Sequence, residues 1–303
     1  MPGGSESVIG LDFGCYGKLA YCGDFVRHGV DIRTRRLLDA CVSACSESAG
    51  GLSLAATAPV CVALRLEPDV RSVGVLFASA DSVGRDFPLA VLAEVDETAF
   101  DGEAACLGAT MLCAVSPVLA AWSRAAPADA PALNRFLDDC VMTVDTDVAE
   151  AEAVALLDVQ LQGRFWTDAF GADDETCRMR ALGGLLALSR DHRGLVGFRA
   201  VNGQAHLLFW LLCTWLRRGR GELPSVVVLH PALGRQEPVL YLGWGAVDVR
   251  ELAAALWPGV WAGRSVPVLP DAADEPDLPP ALQEVLASPE LSLRQVIYEV
   301  ANA

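Results

Sequence analysis

The runs PVCVALRL (59–66), VRSVGVLFAS (70–79) and FPLAVLAEV (87–95) follow one another closely, each β-branched or alternating and separated only by turn residues. Parallel neighbours need a long crossover between them, and these links are too short to supply one. The three runs therefore predict an antiparallel meander, and any fold open to this chain must be built around it. Two segments upstream, 8–16 and 24–28, read as extended on either side of a glycine-rich bend. Asp31 is placed to cap a helix from Ile32 to about Ser48, with Leu37, Leu38, Cys41, Val42 and Cys45 on one face and Gly50-Gly51 ending it.

Beyond Asp96 the pattern turns helical over about 98–124, 131–142, 147–161 and 173–190, with breaks at Pro127, Pro131, Gly163 and Gly171. A strand at 195–201, an aromatic segment at 205–216, strands at 226–230 and 239–244 and a helix at 247–257 follow. A proline-rich acidic loop (258–280) and a last helix (290–301) complete the chain, which contains no internal repeat. The expected fold class is α/β (α+β): a central, mainly antiparallel sheet flanked by helices, with a helical insertion and a C-terminal α/β portion. The expected division is 1–145 and 146–303, the second part able to pack on the same core.

A hydrophobic share of 52% in 303 residues describes a globular chain with a sizeable core. Its net charge of −16 argues against nucleic acid, whose phosphates are bound by cationic side chains, and against an anionic membrane surface. A protein or small-molecule partner remains. The N-terminus MPGGSESVIG shows no basic segment followed by an apolar run, so no signal peptide is expected. The ten cysteines are scattered among apolar neighbours with no C-x-x-C, and read as buried free thiols in a reducing cytoplasm. The uncharged stretch 104–123 is long enough to span a bilayer. It is rich in alanine and interrupted by Pro117, which favours a buried helix over direct membrane insertion.

No chemistry announces itself. Gly17-Lys18 suggests a phosphate loop, but Asp12 stands where that pattern needs glycine and Leu19 where it needs Ser or Thr. The histidines at 28, 192, 206 and 230 have no ligand at metal spacing, and no G-x-S-x-G is present, so neither a metal nor a cofactor is expected. Two polar islands stand out in hydrophobic surroundings. One is GKLAYCGDFVR (17–27), which holds Lys18, the sole lysine among 23 basic residues; the other is DSVGRDFPL (81–89). Each combines opposite charges, a glycine able to take positive φ, and an aromatic entering the next strand. They read either as two tight turns with local ion pairs or as one joined network in which Lys18 and Arg85 face Asp24 and Asp81. A compact ammonium suits a confined position better than the flat arginine fork. A further alternative is a ligand-binding or hydrolytic pocket lined by Lys18, Asp24, Asp81 and Arg85, which requires burial to shift their pKa values.

These islands carry a resemblance. GCYGKLAYCGDFVR (14–27) resembles the opening of the TagF/ImpM family of type VI secretion accessory proteins, which runs aromatic-Gly-Lys-Leu-Pro and then Gly-Asp-Phe with an arginine. SADSVGRDFPL (79–89) is similar to the family's Pro-Ser-x-Asp-x-Val-Gly-Arg-x-Phe-Pro-Leu block, and APV (58–60) and Gly74-Val75-Leu76 match in order. Ala20 and Ala78 replace usual prolines. The resemblance covers about 14–95, with a weaker echo at 207–257.

It implies a cytoplasmic, non-enzymatic protein that represses a type VI secretion apparatus after translation through protein contacts, a forkhead-associated scaffold protein being one such partner. The matching positions are Gly17, Lys18, Gly23, Asp24, Phe25, Arg27, Asp81, Gly84, Arg85, Phe87 and Pro88. They are expected either to touch the partner or to shape the loops that do.

Overall fold

Both faces of the central strands are apolar, so the sheet they build must be covered on both sides. The computed structural model describes residues 8–47, 58–67, 70–96, 104–165, 194–199, 223–230, 239–258, 266, 268–269 and 280–302. The meander forms as expected: β4 (Val60–Glu67), β5 (Val70–Phe77) and β6 (Leu89–Asp96) pair antiparallel in sequence order. Upstream, β1 (Val8–Leu11), β2 (Phe13–Gly17) and β3 (Val26–His28) replace the two extended segments. β2 joins the far side of β6, and β3 pairs with β2 at the sheet's end.

The C-terminal strands enter the same sheet. β8 (Gly194–Arg199), β9 (Val226–His230), β10 (Val239–Trp244) and β11 (Val268–Leu269) give the strand order β11-β8-β10-β9-β4-β5-β6-β2-β3. All pairs are antiparallel except β11 with β8. The seam is the β4–β9 pairing, Cys61 opposite Leu229 through Leu64 opposite Val226, so strands from both sides of residue 145 share one ladder.

Alternation along each strand sorts the core into two layers. Cys61, Ala63, Val73, Val75, Phe77, Leu89 and Val91 point to one face, where α2 (Ala104–Arg124) and α3 (Ala130–Cys140) pack. Val60, Val62, Leu64, Leu76, Ala90 and Leu92 point to the other, under α1 (Ile32–Ser46) and α5 (Val249–Leu256). α1 starts where its cap requires, the Asp31 carboxylate accepting the Arg33 amide at 2.7 Å. A buried Thr34–Ser72 hydroxyl pair at 3.0 Å ties α1 to β5. α2 lies on its face through Met111, Ala114, Val118 and Ala121, and Trp122 stacks on Phe77 at 4.0 Å. No helix among the described residues is long and apolar enough to cross a membrane.

Three details differ from the sequence expectation. The helix expected to 142 stops at Cys140, and Met142–Asp145 form a strand, β7, that pairs with β1 in a separate two-stranded sheet. α4 (Thr146–Val159) follows it at once. Pro280–Leu286 form a helix, α6, where a loop end was expected, before the last helix α7 (Leu293–Asn302). A proline can open a helix because the first amides have no intrahelical partner, which the sequence reading overlooked. The expected helix at 173–190 and aromatic segment at 205–216 lie outside the described residues, as does most of 258–280.

Among the described cysteines, Cys15, Cys41, Cys45, Cys61 and Cys140 are buried free thiols. Burial pushes Cys15, Cys45 and Cys140 up to about 11 and Cys41 and Cys61 up to about 12. The thiolate is the reactive form. Iodoacetamide at mildly alkaline pH should therefore leave these five unmodified in peptide maps of the native protein, and label them after denaturation. Rapid native labelling of Cys61 would contradict this packing.

Candidate functional site: two turns locked at one end of the sheet

The order β5-β6-β2 brings the two polar islands together. The loop after β2 (18–25) and the loop between β5 and β6 (78–88) leave neighbouring strands at the same end of the sheet. Asp81 sits where they meet and is 4% exposed. Its Oδ1 accepts the Val83 amide at 3.1 Å and the Arg85 amide at 2.9 Å, closing the turn on itself. Its Oδ2 accepts Lys18 Nζ at 3.0 Å and Arg85 Nε at 2.6 Å. Both carboxylate oxygens are thus used inside the fold.

The loops are also stitched by backbone. The Ser82 amide donates to the Cys22 carbonyl at 3.2 Å, and the Ser79 hydroxyl donates to the Lys18 carbonyl at 2.6 Å. Arg85 reaches across with a second guanidinium nitrogen to the Gly23 carbonyl at 3.1 Å. Gly84 turns the chain at φ +82°, a conformation that favours glycine. Beneath the loops, Phe25, Phe87 and Tyr16 pack as a triad. Phe25 stacks on Tyr16 at 5.4 Å, and Phe87 stands edge-on to Phe25 at 4.7 Å. Lys18 Nζ lies 5.3 Å above the Phe25 ring and the Arg27 guanidinium 5.9 Å from it. Tyr16 donates its hydroxyl to Asp39 of α1 at 2.6 Å. Burial, with that carboxylate's bond and charge, pushes the phenol up.

Burial opposes the charge on Asp81, but the Arg85 amide, Lys18, the Arg85 guanidinium and the Val83 amide outweigh it. They hold the carboxyl well below the usual carboxylate range. A group so held stays ionised near neutrality, and acts as a clamp rather than as a proton donor.

The geometry therefore joins Lys18, Gly23, Asp81, Gly84, Arg85, Phe25 and Phe87. Pro88 supplies the backbone against which Gly17 closes. It does not place Asp24 with them. That carboxylate is exposed and accepts the amide of Phe25, its own neighbour, at 2.7 Å. Of the two candidate acids, Asp81 takes both cations because its turn aims Oδ2 inward, whereas Asp24 sits where the chain re-enters the sheet. Arg27 is exposed on β3. Sequence reading singled out neither Tyr16 nor Ser79, although both lie inside the two blocks that carry the resemblance, 14–27 and 79–89. An aromatic one residue before a Gly-Lys pair was the available signal for Tyr16. Among the described residues no cluster of His, Cys, Asp and Glu could hold a metal ion.

A mixed α/β domain with two cross-linked turns at one sheet end is thus the class of protein these residues define. Residues 14–140 match the sequence model of the TagF N-terminal domain, type VI secretion system-associated. A crystal structure of PA0076 from Pseudomonas aeruginosa PAO1 is similar at 27% identity over 28% of this chain, with a TM-score of 0.22. The match spans 41% of that chain. No curated protein gives a significant match.

Proposed function

We propose that the protein is a non-enzymatic accessory factor of a bacterial type VI secretion system. In this reading it works in the cytoplasm after translation, and represses the apparatus by binding one of its protein components. A forkhead-associated scaffold protein is the partner the family resemblance suggests. The observation that carries the reading is the use of Asp81. The residue best placed for chemistry in the family's region has both oxygens committed to internal bonds, which leaves the turn tip to offer shape and side chains. At that tip Val83 is 73% exposed and the Arg85 side chain 63% exposed, on a backbone fixed from both loops. A rigid, half-apolar tip is suited to contact, because little ordering entropy remains to be lost on binding.

Capture from extracts of the native host is the test. The tagged wild-type chain should recover a secretion component, and Val83→Asp should lose most of that recovery at an unchanged melting temperature. If the wild type recovers none and its deletion leaves secretion unaltered, the reading fails.

A further inference from the structure

The outward side of α4 is apolar where the solvent face of a helix is ordinarily polar. Val148, Ala151, Ala155 and Val159 are all exposed, and their spacings of three, four and four residues set them along one narrow stripe of the helix. Leu157, on the opposite side of α4, is buried in the core. The two valines at the ends of the stripe are 53% (Val148) and 75% (Val159) exposed. Val8, also exposed, lies opposite Asp145, whose carboxylate accepts the Asp147 and Val148 amides at 3.1 Å. The apolar surface therefore continues past the first turn of α4 onto β1. Single exposed hydrophobics are ordinary, but a run of them along one helix face marks a surface of interaction.

Charge decides what can lie on that face. Residues 141–163 contain five acids and no lysine, arginine or histidine. Asp147 and Asp158, both exposed, fall on the same flank of the stripe. Arg294 of α7 reaches Asp158 at 2.8 Å, whereas Asp147 has no ion pair among the described residues. An anionic lipid surface would be repelled here. A second copy of this chain is a poor occupant as well, since pairing α4 with itself brings acids together and supplies no cation from the helix. The alanines at 151 and 155 indicate the form of the occupant. Short side chains in the middle of the stripe let another helix approach closely between the two valines.

We infer that the exposed face of α4 docks a basic amphipathic helix of a partner protein. The apolar side of that helix covers Val148, Ala151, Ala155 and Val159, and its cations meet Asp147 and the neighbouring acids. Apolar anchors at helical spacing supply affinity, and charge selects the partner. This surface is separate from the Val83 tip. β1 enters β2 at the end away from the Lys18 loop, so the two contacts lie at different places on the fold. With an exposed acidic flank the binding weakens as salt is raised.

The probe is a fluorescent, end-capped peptide of Leu and Lys with its leucines at helical spacing, titrated by anisotropy against the full chain. A scrambled peptide of the same composition keeps the charge and loses the apolar face. The helical peptide should bind saturably, and the scrambled one roughly tenfold more weakly. Ala155→Arg sets a long cation in the centre of the stripe at little cost in helix propensity, and should also weaken binding roughly tenfold. Val159→Lys gives the same readout should Ala155→Arg fail to fold. Hydrogen exchange over residues 147–159 should slow when the helical peptide is bound. Val83→Asp should bind the peptide as the wild type does, and a loss of binding there would move the contact to the tip and overturn the α4 assignment. Equal binding of the two peptides, no binding, or binding undiminished by Ala155→Arg overturns the inference. Dimerisation of the free chain, or adsorption to zwitterionic vesicles, that Ala155→Arg abolishes would give the stripe a different occupant and overturn it too.

Discussion

Gly17→Ala is expected to leave almost no folded protein. A Cβ built on Gly17 would fall 2.1 Å from the Pro88 carbonyl oxygen and 2.8 Å from the Leu89 Cα. Both are backbone atoms of the adjoining strand, which cannot rotate aside as a side-chain end could. The residue also sits at φ +146°, where an L side chain is strained whatever the space around it. Relief would require β2 to move away from β6, and that pairing, Phe13 opposite Ala93 through Tyr16 opposite Ala90, carries β3 and the Lys18 loop with it. The combined clash and strain should cost on the order of 4 kcal/mol or more, a large part of the stability of an ordinary domain. The check is soluble yield with circular dichroism of whatever is recovered. Gly84→Ala is the control, because a Cβ there meets nothing within 4 Å. It bears only the strain of φ +82° and should lower the melting temperature by a few degrees at most. Two glycines of the same motif would then separate by the reason each is present, one for close approach and one for turning. Equal yields of the two variants would show that the β2–β6 approach is not as tight as described.

The sheet was legible because its signals are local. Run length and short links dictate an antiparallel meander, and Asp31 before an apolar-periodic stretch dictates where α1 begins. The joining of β9 to β4 was not legible, since VVVLH fits the edge of any apolar sheet, and its register depends on contacts 162 to 168 residues apart, such as Cys61 with Leu229. β7 was missed for a related reason. Four residues between two helices carry too little periodicity, and their strand character comes from pairing with β1. At the site, composition alone made Lys18 conspicuous, but it could not say whether Asp24 or Asp81 would be its partner. That choice is settled by the turn hydrogen bonds to the Asp81 Oδ1, which orient Oδ2 toward the lysine. The choice of lysine has a geometric account as well. Arg85 already occupies one side of Oδ2, and a second planar fork would crowd an oxygen that an ammonium can still reach.

Asp81→Asn should destabilise the protein with a distinctive dependence on pH. The substitution keeps the shape but leaves Lys18, 7% exposed, without its counter-charge, and a buried charge stripped of its partner is far more costly than the pair was beneficial. It also weakens the Arg85 link that bridges to Gly23. Near neutral pH the melting temperature should fall by an amount on the order of 5 °C. The carboxyl of Asp81 is held below its unfolded value, so the folded state binds its proton less readily than the unfolded state does. Its contribution is complete above the unfolded pKa of about 3.9, and is lost progressively as pH falls from there toward the lowered folded value. The gap between wild type and Asp81→Asn should therefore be constant from neutrality down to about pH 5 and shrink below about pH 4. Lys18→Met in the Asp81→Asn background removes the orphaned cation and should recover part of the lost melting temperature, although Lys18→Met alone should lower it. A gap that stays the same at all pH values would mean that Asp81 contributes shape and not charge. Failure of the second substitution to rescue the first would mean that the cost lies with Arg85 and the turn, and Lys18 would then be held by the Phe25 ring and the Ser79 bond rather than by its carboxylate.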